Sequence, residues 1–193
     1  MGVTGPVRRR RQRSTAPLVV VSGPPASGKT TLAVPLASAL SLPLVAKDTI
    51  KEALMDAVGP VDLERSKALG VATFAVMYAL ARSHLDTGAG LVLEANFASG
   101  VSEPELRPLV ARSRAVLVHC WAPRDVLIER YRERAPHRHP GHHDLVRLDA
   151  GPWWLEPPAL EPPELGAPCL RVDTSRPCEV EAITDWVRAR LAG

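Results

Sequence analysis

Two kinds of hydrophobic pattern alternate along the chain. Five short runs are almost continuously aliphatic, which is typical of strands buried on both faces of a parallel sheet: residues 18–22, 42–46, 90–95, 115–121 and 169–173. The segments between these runs carry apolar residues at helical spacing: residues 29–40, 49–58, 63–87, 103–112, 123–134 and 179–191. This alternation predicts a doubly wound, three-layer α/β fold with a five-stranded parallel sheet.

Two adjoining stretches follow neither pattern. Residues 135–152 are rich in histidine and arginine, and residues 152–168 contain six prolines, which exclude a helix or a central strand there. A long segment without regular elements indicates a functional lid or a surface excursion in a compact domain. We therefore expect a lid over residues 135–152 and a proline-rich excursion over residues 152–168.

Composition adds limits to this fold. With 193 residues, of which 46% are hydrophobic, the chain has enough apolar surface for one core, and we expect one domain over residues 17–193. The net charge of +3 is too small for a general nucleic-acid or membrane partner. Residues 1–16 hold most of the excess, and we expect a disordered basic tail; a tail that binds nucleic acid or acidic lipid is the alternative.

The cysteines and the longest apolar segments bear on location. Three cysteines without a C-x-x-C pair form neither a disulfide framework nor a zinc site. No export signal is present, and the most apolar segment, residues 68–81, is shorter than a membrane span, so we expect it to be a buried core helix. A reduced, cytoplasmic protein is the simplest interpretation.

The strongest chemical signal is GPPASGKT, which matches G-x-x-x-x-G-K-[ST] directly after the first predicted strand. In such a loop, backbone N–H groups surround phosphate oxygens at a helix N-terminus. Lys29 is expected to reach the β- and γ-phosphates, and the Thr30 hydroxyl is expected to ligate Mg²⁺. The predicted ATP-binding residues of this loop are Gly23, Pro24, Pro25, Ala26, Ser27, Gly28, Lys29, Thr30 and Thr31.

Other classes of phosphate-loop protein have signatures that this sequence lacks. It contains no N-K-x-D base-reading motif, which argues against a GTPase. It also has no L-S-G-G-Q motif and no apolar strand that ends in Asp-Glu, which argues against transporter ATPases and motors. The remaining features fit a small kinase. One acid follows the second strand, another follows the third, and an arginine-rich segment follows the fourth.

Five segments, in this order, resemble the bacterial predicted-kinase family of P-loop proteins: GPPASGKTTLA, AKDTIKEAL, LVLEANF, VHCWAPRDVLIERYRERAPHRHPGHHD and RVDTS. That family is similar to chloramphenicol phosphotransferase and zeta-toxin kinases, and the resemblance covers about residues 17–190. It implies a nucleoside-monophosphate-kinase-like P-loop NTPase fold with a lid, which uses ATP and Mg²⁺. It also implies transfer of phosphate to a small-molecule hydroxyl. Lys51 departs from the family, whose members often carry arginine there.

Acids follow two of the predicted strands. In the kinases that the chain resembles, the acid matching Asp48 orients or deprotonates the acceptor hydroxyl, and general-base catalysis is chemistry suited to a carboxylate. The alternative is that Asp48 only caps the next helix. Glu94 ends the third strand, where its carboxylate suits Mg²⁺-bound water or substrate; a solvent-exposed strand end is the alternative.

Arginines in the fourth helical segment are candidates for charge stabilisation. Arg130 and Arg134 are four residues apart and are expected to project together from one helix face. With Arg138 of the lid, they are candidates to offset charge on the transferring phosphoryl group; a solvated helix face is the alternative. Asp173 and Thr174 follow the last strand, where related kinases place a loop near the adenine, but such residues also form simple turns.

Histidines and tryptophans of the lid region have no single interpretation. The histidines do not follow a standard zinc spacing, so we do not predict a metal centre from them; they are His137, His139, His142 and His143, beside Asp144. Trp153 and Trp154 either stack on a flat acceptor or anchor the excursion to the core.

The sequence therefore supports one leading hypothesis and two alternatives. The leading hypothesis is an ATP-dependent phosphotransferase that moves the γ-phosphate to a hydroxyl of a small molecule. The alternatives are a 5′-hydroxyl polynucleotide or tRNA-type kinase, favoured by the basic tail, and a non-catalytic ATP-binding regulatory module.

Overall fold

All strands of the computed structural model, which describes residues 16–192, belong to one parallel sheet. The strands are β1 (Pro17–Ser22), β2 (Leu44–Ala46), β3 (Leu91–Glu94), β4 (Arg114–Trp121) and β5 (Cys169–Asp173). The helices are α1 (Lys29–Leu40), α2 (Lys47–Val58), α3 (Leu63–Asp86), α4 (Glu103–Val110), α5 (Arg124–Arg134), α6 (Asp144–Asp149) and α7 (Val180–Ala192). Short 3₁₀ turns lie at Ala135–His137, Pro140–His142 and Trp153–Leu155.

The strand order is β2-β3-β1-β4-β5, with β1 at the centre of the sheet. The chain moves from β1 to one edge, returns to β3, and then adds β4 and β5 on the other side. The carboxyl ends of the strands around β1 therefore form the crevice where doubly wound sheets bind ligands. The predicted doubly wound α/β fold with five parallel strands is confirmed.

Side chains of β1 alternate between the two layers of helices. Leu18 and Val20 pack in the cluster that contains α3 and α4 residues, whereas Val19 and Val21 pack in the cluster that contains α1 and α7 residues. All four are fully buried. This alternation explains the continuous aliphatic run, because both faces of the strand are covered and no side chain in the run reaches solvent.

The helix α3 differs from the buried core helix expected over residues 68–81. Met77, Ala81 and Leu85 lie in the core, but Val71 is 74% exposed. Within residues 16–192, α3 is the one helix long and apolar enough to cross a membrane, and 28% of its most apolar window is buried. The expectation is wrong for one face, because apolar residues there, such as Phe74, line a cavity.

The start of α2 also departs from the prediction. The helix begins at Lys47, two residues before the predicted start, with Ala46 as its N-cap. Asp48 therefore lies inside the first helical turn, and the interpretation of Asp48 as the cap is wrong. The strand β2 ends at Ala46 as predicted but begins at Leu44, two residues after the predicted start, and the chain passes from extended to helical backbone at Ala46 without an intervening loop.

The segment 135–168 is more ordered than expected. It contains α6, so the absence of regular elements predicted there is wrong for residues 144–149. Trp154 is buried against Tyr131, with 4.7 Å between ring centroids, and thereby anchors the excursion. Trp153 is 59% exposed, so the two tryptophans have different environments. The six prolines between residues 152 and 168 leave only one 3₁₀ turn there.

Ala16 is part of the core. Ala16, which the prediction placed in the tail, is 3% exposed and belongs to the core cluster. Its carbonyl oxygen accepts a hydrogen bond of 3.0 Å from the amide of Arg114. The rest of the predicted basic tail lies outside the described residues.

Candidate active site

The phosphate loop connects β1 to α1 and requires glycine at both ends. Gly23 has φ +148° and Gly28 has φ +72°, a backbone region that other residues rarely adopt. A Cβ atom on Gly23 would lie 2.3 Å from the carbonyl oxygen of Cys120. The amide of Ser27 donates to the carbonyl of Pro24 at 3.2 Å and closes the turn. The loop therefore has the tight turn that brings backbone amides to the start of α1.

Two side chains of the loop fit a bound phosphate group. The buried Lys29 ammonium donates to the Pro24 carbonyl at 3.3 Å, which uses one of its three donors. The buried Ser27 hydroxyl has no hydrogen-bond partner among residues 16–192. A buried polar atom without a partner is costly, and phosphate oxygens would satisfy it. The donor set thus agrees with the predicted binding of ATP phosphates.

Thr174 and Arg130 support this loop from the end of β5. The Thr174 hydroxyl oxygen lies 2.9 Å from the carbonyl of Ser27, and Arg130 Nη2 donates to the Thr174 carbonyl at 2.8 Å. Arg134 instead lies over the Tyr131 ring, 4.7 Å from its centroid. The expected joint projection of Arg130 and Arg134 is therefore wrong, because each has a different partner.

Asp173 is used by its own turn. Its Oδ1 atom accepts hydrogen bonds from the amide of Ser175 at 2.9 Å and from the Ser175 hydroxyl at 2.6 Å. These hydrogen bonds lower the pKa of the Asp173 carboxyl below its ordinary value. The geometry corresponds to the simple-turn alternative, and contact of Asp173 with a nucleotide stays a prediction.

Glu94 and Thr30 place two oxygen atoms together beside the phosphate loop. Glu94 is 2% exposed, so the alternative of a solvent-exposed strand end is wrong. The Thr30 hydroxyl donates to Glu94 Oε2 at 3.3 Å. Burial raises the pKa of the Glu94 carboxyl, while Lys29 and the Thr30 hydrogen bond oppose this. A neighbouring cation would stabilise the ionised form of this buried carboxylate.

This pair of oxygens fits Mg²⁺ held together with a nucleotide. Magnesium usually takes one or two protein oxygens and completes its shell with phosphate and water. Within residues 16–192, no group of three or more histidine, cysteine or acidic side chains is arranged to hold a metal ion. Thr30 and Glu94 would therefore serve as part of a shell that the phosphates complete.

Asp48 directs an ionised carboxylate into the cavity. Its Oδ2 atom accepts a hydrogen bond of 2.8 Å from Arg138 Nη2. Burial alone would raise the pKa of this carboxyl, but Arg138, Lys29 and Lys47 hold the pKa well below its ordinary value. The carboxylate therefore keeps its charge at any pH at which the protein is expected to work.

The cavity beside these groups has a volume of about 590 Å³, which suits a small molecule. Its floor contains Lys29, Asp48 and Glu94, and one wall is apolar, formed by Val71, Phe74 and Tyr78 of α3. Arg134, Arg138 and the two tryptophans line the lid side. Arg130 is not among the residues around the cavity, so only two of the three candidate arginines can face a molecule bound there.

The lid contacts α2 through a row of polar side-chain pairs. Three acids lie on one face of α2, each four residues after the last: Asp48, Glu52 and Asp56. Arg138 contacts the first, His142 Nε2 lies 2.8 Å from Glu52 Oε1, and His139 Nε2 lies 3.1 Å from Asp56 Oδ1. We call these contacts the lid row. The spacing of the three acids is visible in the sequence, but the sequence does not indicate which basic side chains contact them.

A buried histidine behind the phosphate loop was missed. His119 on β4 lies beside Ser22, with 2.8 Å between Nδ1 and the Ser22 hydroxyl oxygen. Its Nε2 atom is 3.0 Å from the carbonyl of Leu160. Because a carbonyl only accepts, Nε2 carries the proton and Nδ1 accepts from Ser22. Histidine within an aliphatic run was the only sequence signal for this contact between sheet and excursion.

His119 should make stability depend on pH. Burial lowers its pKa from 6.5 to about 4. Between these values the unfolded chain binds a proton that the folded protein does not, so stability is complete above pH 6.5 and falls as the pH drops. We expect a contribution of about 3 kcal/mol to be lost between pH 7.5 and 4. Urea unfolding of wild type and His119→Gln at both pH values measures it.

The matched control is His137→Gln, because His137 is exposed. The fall in unfolding free energy should be smaller in His119→Gln than in wild type and unchanged in His137→Gln. An equal fall in all three proteins would show that His119 is not kept neutral by the fold.

Known proteins resemble this chain in sequence and in structure. A model of the AAA domain family matches residues 18–158. No curated protein matches the chain. A candidate kinase from Chloroflexus aurantiacus j-10-fl is 34% identical, and the match covers 91% of this chain and 98% of that one with a TM-score of 0.79.

Two more distant structures share the fold. A sugar kinase from Janibacter sp. HTCC2649 is 20% identical, with 92% and 95% of the two chains covered and a TM-score of 0.56. A gluconokinase from Sinorhizobium meliloti 1021 is 21% identical, with 93% of each chain covered and a TM-score of 0.52. The family match and the 34% identical candidate kinase show that the chain belongs to the AAA domain family, in a group of bacterial P-loop kinases.

Proposed function

We propose that the protein transfers the γ-phosphate of ATP to a hydroxyl group of a small molecule. The observation that carries this proposal is the position of Asp48, whose ionised carboxylate shares a cavity with the phosphate-loop lysine Lys29. The acid needed by an acceptor hydroxyl and the cation needed by a phosphate group thus face the same space. Three free cysteines and the use of ATP support a cytoplasmic location.

Residues of the phosphate loop bind and orient the donor. Backbone amides of the non-proline residues of the loop and the Lys29 ammonium would hold phosphate oxygens, and Thr30 with Glu94 would supply oxygen ligands. When bound, Mg·ATP supplies the phosphoryl group and the metal neutralises part of its charge. Thr174 and Arg130 keep the loop in place through the Ser27 carbonyl and the end of β5.

Asp48 orients the acceptor in this proposal. Its carboxylate accepts a hydrogen bond from the acceptor O–H group and so directs an oxygen lone pair towards the phosphate site. A strong base is not required, because phosphoryl transfer passes through a loose transition state with little early proton transfer. A carboxylate whose pKa lies well below its ordinary value suits this role.

Lid residues complete the charge balance and exclude water. Arg134 and Arg138 face the cavity and would offset the negative charge that spreads over the phosphoryl oxygens. The lid row keeps residues 135–142 against α2, and Trp153 covers the rim. Exclusion of water matters because an open site would transfer phosphate to water instead of the acceptor.

The test is ADP release from Mg·ATP across a set of acceptors. The set contains sugars, polyols, nucleosides, hydroxy acids and phenolic or aminated antibiotics, with 5′-hydroxyl oligonucleotides as a separate arm. We expect one small-molecule class to raise ADP release well above the rate without acceptor, with a phosphorylated product found by mass spectrometry. Stimulation by oligonucleotides alone would favour the polynucleotide kinase, and uniform release with ATP bound would favour the regulatory module.

A further inference from the structure

A group of cations lies inside the cavity, away from the phosphate loop. Lys51 on α2 is 5% exposed, and its ammonium donates to the Ser66 hydroxyl of α3 at 3.0 Å. Arg147 on α6 donates to the same hydroxyl at 3.3 Å. All three residues line the cavity. Two positive charges therefore meet at one buried hydroxyl where α2, α3 and α6 come together.

Neither cation has an acid partner. In the part of the chain that the structure describes, no ion pair within 4.0 Å includes Lys51 or Arg147. Arg147 uses Nε on the carbonyl of His142, and the other contact of both cations is Ser66. Several N–H donors on these side chains are left for another partner. A buried ammonium without a counter-ion is unfavourable, so an anion would stabilise this arrangement.

The surroundings of Lys51 are unfavourable for a charged ammonium. Burial, followed by Lys47 and Arg147, lowers the pKa of its ammonium to about 8. The cavity as a whole is lined by seven lysine and arginine side chains and four carboxylates within residues 16–192. A positive excess in a cleft attracts negatively charged molecules.

The position of Lys51 relates it to the proposed acceptor hydroxyl. Lys51 follows Asp48 by three residues on α2, so the two side chains share a helix face with Cβ atoms about 5–6 Å apart. A small molecule that donates a hydroxyl to Asp48 can therefore place an anionic group near Lys51. The spacing corresponds to a few bonds, as in a hydroxy acid or a polyol phosphate.

We infer that Lys51, Ser66 and Arg147 form an anion-binding subsite, and that the acceptor carries a carboxylate or phosphate group in addition to its hydroxyl. We call it the anion subsite. This inference rests on the proposed function only in identifying the cavity as the acceptor site. Binding of the anion itself does not require phosphate transfer, which allows the two proposals to be tested separately.

The first experiment measures the lysine directly. The chain contains four lysines, Lys29, Lys47, Lys51 and Lys67, so lysine labelled with ¹³C at Cε gives few NMR signals, and Lys51→Arg identifies one of them. At pH 8, millimolar D-gluconate or D-glucitol 6-phosphate should shift the Lys51 signal towards the protonated form, whereas D-glucitol should not. These probes share a carbon skeleton and separate carboxylate, phosphate and neutral polyol.

The second experiment measures transfer to the same probes. ADP release from Mg·ATP should respond to at least one anionic probe more than to D-glucitol. Lys51→Met and Arg147→Met should each raise the KM for that probe at least about tenfold, because a hydrogen bond to a charged group is lost. Lys51→Arg should restore a KM close to that of wild type. The matched control is Arg188→Met, since Arg188 is exposed, pairs with Asp185 at 3.4 Å and does not line the cavity.

The outcomes separate the two proposals. A Lys51 shift with the anions and no transfer to any acceptor would support the anion subsite and overturn the proposed kinase activity. Transfer to neutral acceptors with no Lys51 shift would support the kinase and overturn the anion subsite. An unchanged KM in Lys51→Met and Arg147→Met would also overturn it, and circular dichroism of each variant shows that the fold is retained.

Discussion

Replacing Lys29 by methionine is expected to lower the rate of phosphate transfer by about a thousandfold. The ammonium is buried at the end of the phosphate loop, where its only protein partner within residues 16–192 is the Pro24 carbonyl. A preorganised cation in such a position stabilises charge that develops during transfer, and removal of one comparable donor costs about 10²–10³ in rate. Methionine keeps much of the side-chain volume, so the packing around α1 should survive.

The measurement is ADP release with the acceptor found in the library, together with thermal unfolding of each variant. ATP affinity should fall as well, because Lys29 is assigned to the β- and γ-phosphates. Arg188→Met is the control, since it removes one positive charge from an exposed position outside the cavity and should leave the rate within about twofold. More than a tenth of wild-type activity in Lys29→Met would mean that the phosphoryl group is bound elsewhere.

Asp48→Asn is expected to lower phosphate transfer by about 10²–10⁴ while the affinity for Mg·ATP stays close to that of wild type. The carboxylate is assigned to the acceptor, so nucleotide binding does not depend on it. Asparagine has the same size but cannot hold the acceptor hydroxyl with a full negative charge. It also weakens the contact with Arg138, which the structure places 2.8 Å from Asp48 Oδ2.

Kinetics over pH provide a second readout for Asp48. Since Arg138, Lys29 and Lys47 hold its pKa well below the ordinary value, Asp48 stays ionised as the pH falls to 5. The rate should therefore show no loss between pH 7 and 5 that requires protonation of this residue. The control variant is Asp56→Asn, on the same face of α2, which should keep the rate within about threefold. Full activity in Asp48→Asn would overturn its assignment to the acceptor.

Much of the fold could be read from the sequence because the strands are covered on both faces. Continuous aliphatic runs have one structural explanation in a chain of this size, and the β5 range and the α1 range agree with the prediction to the residue. The phosphate loop was equally readable, since its motif is contiguous in sequence and its glycines have positive φ angles that other residues rarely adopt.

The parts that escaped prediction depend on contacts between distant segments. Lys51, Ser66 and Arg147 come from three helices, and nothing in their local sequence indicates that they share one point in space. The same holds for His119, whose neutral state follows from burial beside Ser22 and Leu160. Arg130 and Arg134 have suitable spacing for a joint role, but Arg130 donates to the Thr174 carbonyl at the end of β5. Side-chain partners of this kind are decided by tertiary packing.

The lid row has a consequence for exchanging acceptor preference between related proteins. Its arginine and histidine side chains lie on residues 138–142, whereas its carboxylates lie on α2, more than 80 residues earlier in the chain. A chimera that receives only a foreign lid would leave Asp48, Glu52 and Asp56 without their partners. The transferable module is therefore discontinuous, and grafts should carry α2 and the lid together.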